Sequence, residues 1–214
     1  MFSKSNKMNK INKKLPLDEN FISTEQIRLI RSNIENTVKK ESLVIMLTSP
    51  VNVADKPLIA AKLAIAYAEQ NKKVLLADSN FRSPSVHELF NVSNITGLSD
   101  LILNGDAIDP FIKDTFINNL SVLTTGPNPY NLMELWVESK IENLIKKCGK
   151  SYDVVIIEAP PYLMVSESQI LANYCDGVVL VIQEHKTEKE EIIKTKHYLE
   201  RGNKNILGVI YQTG

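Results

Sequence analysis

The stretch from Leu43 to Ala68 constrains the fold of this chain more than any other part of the sequence. Five consecutive apolar residues, Leu43 to Leu47, predict a buried β-strand. A short loop follows, and apolar or small residues then recur at helical spacing from Leu58 onwards. The stretch therefore predicts a strand, a loop and a helix in direct succession.

The loop at residues 49–57 lies where α/β proteins bind phosphate, because backbone N–H groups and the positive end of the following helix point at one spot. Lys56 stands at the position of a phosphate-binding lysine. However, the loop contains no glycine, and a backbone that approaches phosphate closely needs glycines. Asp55 adds a negative charge, and Pro57 removes both a hydroxyl that would hold Mg²⁺ and one backbone donor. The degenerate nucleotide-binding loop consists of Val53, Ala54, Asp55, Lys56 and Pro57.

Two acidic residues follow apolar strands further along the chain. Asp78 comes directly after a predicted strand at residues 73–77, at the end where open parallel sheets place ligands. A strand-end aspartate is as often a simple turn former, so both interpretations stay open. Glu158 ends the strand predicted at residues 152–157, and a carboxylate there is costly to bury without a cation, a metal or water. Glu158 is therefore a candidate site residue.

The remaining pattern alternates between strands and helices, which predicts a mostly parallel sheet covered by helices on both faces. Residues 104–119 are interpreted as an irregular connection. We predict a flexible N-terminal tail over residues 1–17 and a single α/β domain over residues 18–214. Further strands are predicted at 120–123, 177–182 and 206–210, and helices at 84–90, 97–103, 132–147, 165–174 and 187–201.

Charge and composition limit the classes of partner that the chain can bind. Lys and Arg together number 25, as do Asp and Glu, so no overall charge favours nucleic acid or an anionic membrane. No apolar run approaches the length of a membrane span, and we expect a cytoplasmic protein without direct membrane insertion. Cys148 and Cys175 lack a metal-ligand spacing and indicate ordinary reduced cysteines.

A helix is predicted at about residues 20–38, with Ile27, Ile30 and Ile34 on one face. Glu25, Arg28 and Arg31 share another face. These three side chains form either an exposed intrahelical ion-pair group or a stripe that meets another subunit.

These motifs, in this order, resemble the cytosolic bacterial tyrosine kinases of capsule and exopolysaccharide synthesis, the BY-kinases, and the resemblance covers the chain from about Ser23. Residues 25–31 fit the family's E-x-x-R-x-x-R oligomerisation motif, and residues 74–84 are similar to its second Walker A-like segment. Segments that also follow the family order are 97–100, 126–131, 156–161 and 176–181.

The resemblance implies a P-loop NTPase-like, three-layer α/β/α fold that uses ATP and Mg²⁺. It implies that Asp78 and the residue at position 80 serve catalysis, and that Asp78 and Glu158 hold the metal. The chain departs from the family in this machinery. Asn80 replaces the second aspartate of the Walker A-like segment, and Glu158 replaces the Walker B aspartate. The C-terminal tyrosine cluster is absent from this sequence.

Three functions follow from the resemblance. The first is a catalytically impaired, BY-kinase-like protein that acts by oligomerisation and partner binding. The second is an active tyrosine kinase that needs a transmembrane activator. The third and weakest is a partitioning-type ATPase. The implied partners are a second copy or a paralogue in a mixed ring, and the cytosolic tail of a transmembrane polysaccharide co-polymerase, which would recruit the chain to the inner membrane face.

Overall fold

A seven-stranded sheet forms the centre of the protein in a computed structural model that describes residues 24–104, 107–131 and 134–213. The strands are β1 (Leu43–Thr48), β2 (Val74–Asp78), β3 (Lys113–Asp114), β4 (Leu120–Leu123), β5 (Val154–Glu158), β6 (Gly177–Gln183) and β7 (Ile206–Gln212). They lie in the order β3-β4-β2-β5-β1-β6-β7. All neighbouring strands are parallel except the pair β3 and β4.

The central strands are buried on both faces because helices cover each side of the sheet. Every residue of β1, β2, β5 and β6 is buried, as expected for apolar and β-branched runs in a parallel sheet. The helices are α1 (Thr24–Thr37), α2 (Lys56–Ala68), α3 (Val86–Phe90), α4 (Leu98–Asn104), α5 (Glu138–Ser151), α6 (Ser166–Ala172) and α7 (Lys189–Arg201).

Two apolar cores result, one on each face of the sheet. The first core takes residues from α1, α2 and α3, including Ile27 and Ile34 as predicted. The second takes residues from α4 to α7, including Ile141 and Leu199. The three-layer α/β/α class with a mostly parallel sheet is therefore confirmed.

Several predicted elements differ from the structure. The helix predicted at 132–147 instead begins at Glu138 and ends at Ser151. Leu135 and Trp136 have helical spacing but lie before the helix, where they are buried and Trp136 packs edge-on against Phe81. Residues 132 and 133 lie outside the described residues.

The connection at 104–119, predicted to be irregular, contains two short elements of secondary structure. A 3₁₀ turn at Asp109–Phe111 leads into β3, a two-residue strand that pairs antiparallel with β4. Its residues, Lys113 and Asp114, carry no apolar alternation, so periodicity could not reveal them.

The N-terminal predictions are tested only in part. Helix α1 spans Thr24–Thr37, within the predicted range of about 20–38. The predicted tail at 1–17 and the predicted start of the helix lie outside the described residues.

In the described ranges, no helix combines the length and the apolar character that crossing a membrane requires. Both Cys148 and Cys175 carry free thiols.

Gly97 and Gly126 bring the loop before α4 against the end of β4. A Cβ atom on Gly97 would lie 2.2 Å from the carbonyl oxygen of Thr124 and 2.3 Å from the nitrogen of Gly126. Gly126 has a φ of +76°, which L-residues rarely adopt. Backbone contacts this close leave no room for a side chain at position 97.

We predict that Gly97→Ala lowers the free energy of unfolding by about 1–3 kcal/mol, because backbone atoms rather than flexible side chains oppose the new methyl group. Gly208→Ala is the matched control, since its Cβ would meet nothing within 4 Å. Urea unfolding of both variants measures the difference. Equal unfolding midpoints for the two variants would contradict this account of the loop.

Candidate functional site

The predicted site residues meet at the carboxyl ends of three neighbouring strands. Strand β5 lies between β1 and β2, so Glu158 sits beside Leu47 on one side and Asp78 on the other. The amide and the hydroxyl of Ser79 both donate to the Glu158 carbonyl, at 2.9 and 2.8 Å. The parallel register thus places Asp78 and Glu158 next to each other, at the edge of the sheet where α2 begins.

Lys56 is the first residue of α2 and is only 1% exposed. Its Nζ donates to a carboxylate oxygen of Glu158 and to the carbonyl oxygen of Ala159. The ammonium is therefore enclosed between two protein oxygens. A phosphate could reach it only if this arrangement opened.

Glu158 is fully buried, and it lies beside the ammonium of Lys56 and the carboxyl group of Asp78. Burial raises the pKa of its carboxyl group, Asp78 raises it further, and Lys56 acts in the opposite direction. One Glu158 oxygen, Oε2, is buried without a hydrogen-bond partner among the described residues. The carboxylate thus depends on Lys56 for charge compensation.

Asp78 is also completely buried, and both of its carboxylate oxygens are used by the backbone. Oδ1 accepts from the amide of Asn80 at 3.0 Å, and Oδ2 accepts from the amides of Ser85 and Val86 at 3.0 and 3.1 Å. Burial raises the pKa of Asp78, and these three amides oppose that rise. Asp78 therefore acts as a turn former, one of the two interpretations that the sequence leaves open, and it also lies beside Glu158.

The contacts of Asp78 also correct the predicted start of α3. The predicted helix begins at Pro84, whereas the observed helix begins at Val86. Asp78 fixes the amides of Ser85 and Val86, which holds Ser85 outside the helix.

Side chains fill the nucleotide-binding loop where glycines were expected. Val53 is 2% exposed and belongs to the core on the α1 side of the sheet. Ala54 is exposed. Asp55 accepts a hydrogen bond from the side-chain amide of Gln212 at 2.9 Å, and Pro57 occupies the first turn of α2.

Asn80 is buried, 6% exposed, and lies two residues after the end of β2, where its backbone amide donates to Asp78. Its carboxamide is neutral and cannot act as a general base as the aspartate expected there could. Among the described residues, no group of three or more His, Cys, Asp and Glu side chains is placed to hold a metal ion.

The stripe of Glu25, Arg28 and Arg31 lies away from these residues. Arg28 pairs with Glu25 at 2.5 Å and with Glu69, at the C-terminal end of α2, at 3.3 Å. Lys56 begins the same helix, so about 20 Å of helix separates the two groups.

Arg31 is the least exposed of the three side chains in the stripe. Its side chain is only 14% exposed and pairs with Glu35 at 3.4 Å. Its Nε is buried with no hydrogen-bond partner in the described ranges. The intrahelical pair between Glu25 and Arg28 is present, and Glu25 remains 77% exposed.

Two groups outside the loop, the Ala159 carbonyl and the Gln212 side chain, form hydrogen bonds with it and were not predicted from the sequence. The Ala159 carbonyl has no sequence signature, because every residue carries one. Gln212 lies 157 positions from Asp55, and only the strand order of the sheet brings them together.

Comparisons with known proteins are consistent with this geometry. A family model described as an AAA domain matches residues 53–206. The tyrosine-protein kinase YwqD of Bacillus subtilis is 39% identical over 190 residues, covering 88% of this chain and 80% of the relative.

Two solved structures share the fold. The chimerical protein CapA2B2 is 37% identical with a TM-score of 0.81, covering 87% of this chain and 83% of that one. The kinase domain of the Escherichia coli tyrosine kinase ETK is 27% identical with a TM-score of 0.83, covering 89% of this chain and 75% of that one. Because sequence and fold agree over most of its length, the chain belongs to the P-loop-type bacterial tyrosine kinase family, the BY-kinases, of capsular and exopolysaccharide biosynthesis.

Proposed function

We propose that this chain is a BY-kinase-like protein with an impaired phosphoryl-transfer site, which acts by oligomerisation and partner binding. The observation that carries the proposal is the enclosure of Lys56 by Glu158 and the Ala159 carbonyl. A lysine that binds phosphate must offer its ammonium to the ligand. Here two buried protein oxygens already accept from the ammonium in place of a phosphate.

The surrounding loop supports the same conclusion. Val53 directs its side chain into the core, so the loop backbone carries a Cβ where the family has glycine. The carboxylate of Asp55 would repel an incoming phosphate. Pro57 provides neither a hydroxyl for Mg²⁺ nor a backbone N–H donor.

The acidic groups are also poorly suited to Mg²⁺. The oxygens of Asp78 are occupied by three backbone amides. The carboxylate of Glu158 already pairs with the ammonium of Lys56, so it would have to give up this contact before it could hold a metal ion. The residues present therefore fit Mg²⁺ and ATP poorly, and we assign this chain no step that depends on them.

Several weakened groups act together in phosphoryl transfer, which depends on positioning and electrostatic stabilisation. Losing a single positioned donor costs about 10²–10³-fold in rate, by analogy with oxyanion holes. Such a contribution is lost at three places: the loop has no glycine, position 57 has no hydroxyl, and Asn80 is neutral. Their combined loss leaves little catalytic power.

An active tyrosine kinase that needs a transmembrane activator is the second candidate. It is favoured by the presence of Lys56 and Asp78 at the expected strand and helix ends. In that case activator binding would have to separate Lys56 from Glu158.

The proposed partners follow from the family. One is a second copy or a paralogue, in a ring that uses the stripe on α1. The other is the cytosolic tail of a transmembrane polysaccharide co-polymerase, which would bring a cytoplasmic chain to the inner face of the membrane. The fold match to the chimerical protein CapA2B2 supports the idea of a family partner.

We predict that the purified chain, incubated with Mg²⁺ and ATP, produces no phosphotyrosine on itself or on a tyrosine-containing family substrate. Restoring the loop with Val53→Gly, Asp55→Gly and Pro57→Ser should raise nucleotide affinity, whereas turnover should also require Asn80→Asp. Anti-phosphotyrosine detection with an active BY-kinase as positive control provides the measurement.

Lys56→Met serves as the background control, because it keeps an unbranched side chain of similar length without the charge. Circular dichroism should verify that each variant folds, since Val53→Gly empties part of the core. Phosphotyrosine formed by the wild-type chain and lost in Lys56→Met would overturn the proposal in favour of the second candidate.

We also predict that the chain self-associates through the exposed part of the α1 stripe. Charge reversal by Glu25→Arg should reduce the mass measured by light scattering, because Glu25 is the most exposed member of the group. Arg28→Ala should do the same, because Arg28 is the next most exposed member of the stripe. A desolvated Arg–carboxylate pair at an interface contributes specificity that an exposed pair does not.

The matched control is Lys146→Ala, which removes one cation from an exposed intrahelical pair elsewhere on the surface. It should leave the mass unchanged. If the wild-type chain is monomeric at every concentration tested, with and without the activator tail, the stripe is only surface charge.

A further inference from the structure

The last strand of the sheet reaches the nucleotide-binding loop through one side chain. Gln212 ends β7, and its Nε2 donates to Oδ2 of Asp55 at 2.9 Å. The main chain of Gln212 is fixed at the same point, because its carbonyl accepts from the amide of Glu184 at 2.9 Å. Gln212 therefore links the end of β7 to the residue that precedes Lys56.

Asp55 lies where the loop passes into α2. It sits at the N-cap of α2, and its carbonyl accepts the first-turn amide of Ile59 at 3.0 Å. Its side chain does not cap the helix. The hydrogen bond from Gln212 thus restrains the Asp55 carboxylate from outside the helix.

The orientation of the Gln212 amide follows from its partner. A carboxylate only accepts hydrogen bonds, so the NH₂ group and not the carbonyl of Gln212 must face Asp55. In this orientation, Oε1 of Gln212 is buried without a partner in the described part of the chain. Leaving a buried acceptor unsatisfied is unfavourable, so the contact with Asp55 is the interaction that sets this side chain.

We propose that Gln212 is a positioning residue for the nucleotide-binding loop. Through Asp55 it holds the first turn of α2, and with it the enclosed ammonium of Lys56. Among the described strands, β7 pairs only with β6 and forms an edge of the sheet. A displacement of this edge would therefore reach the loop directly. This role does not depend on whether the chain transfers phosphate.

A charge series at position 212 tests the proposal. Gln212→Lys presents a cation to Asp55 and should keep the loop closed, Gln212→Ala removes the donor, and Gln212→Glu places two carboxylates together. Hydrogen exchange measured by mass spectrometry should report the amides of Lys56 and Ile59. Exchange in residues 49–59 should accelerate about tenfold in the Ala variant and more in the Glu variant, and should stay at the wild-type rate or below in the Lys variant.

Acylation of Lys56 by an amine-reactive reagent gives a second readout and should follow the same order. Asn205→Lys and Asn205→Glu are the controls, because they change the net charge equally at the exposed opposite end of β7. They should leave residues 49–59 unchanged. A purely packing role for Gln212 predicts the same response to Lys and Glu, and that result, or an equal effect of the Asn205 variants, would overturn the proposal. Neither readout requires ATP, so failure here is distinct from failure of the proposed function.

Discussion

The buried contact between Lys56 and Glu158 is the interaction on which the rest of the site depends. It joins the first residue of α2 to the last residue of β5, at the middle of the sheet. Removing one member of a buried ion pair leaves an uncompensated charge and costs about 3–5 kcal/mol. The loop can therefore not expose Lys56 to a ligand unless the ligand supplies a comparable compensation.

Several residues of this chain restrain the same loop. A glycine-rich loop moves its backbone towards phosphate, whereas Val53 anchors this loop in the core and Gln212 restrains it through Asp55. Glu158 differs from the Walker B aspartate of the family by one additional CH₂. Its oxygen reaches Lys56 from the end of β5, so a change that appears conservative in the sequence helps to enclose the lysine.

Much of the fold could be predicted because its signals are local. The apolar run of β1, the helical spacing of α2 and the acidic residues that end β2 and β5 are visible in short windows of sequence. The site was predicted as a set of positions but not as a set of contacts. The pairing of Lys56 depends on strand register, and the start of α5 depends on tertiary burial of Trp136, which overrides helical spacing.

Protein oxygens already contact the ammonium that a phosphate would need, so the purified chain should not bind Mg²⁺ and ATP, and a calorimetric titration decides this. The titration should be repeated with the cytosolic tail of the candidate activator present. We expect no saturable heat, which means a dissociation constant weaker than about 1 mM, or a binding free energy weaker than about −4 kcal/mol. Saturable binding at micromolar ATP that disappears in Lys56→Met would contradict it.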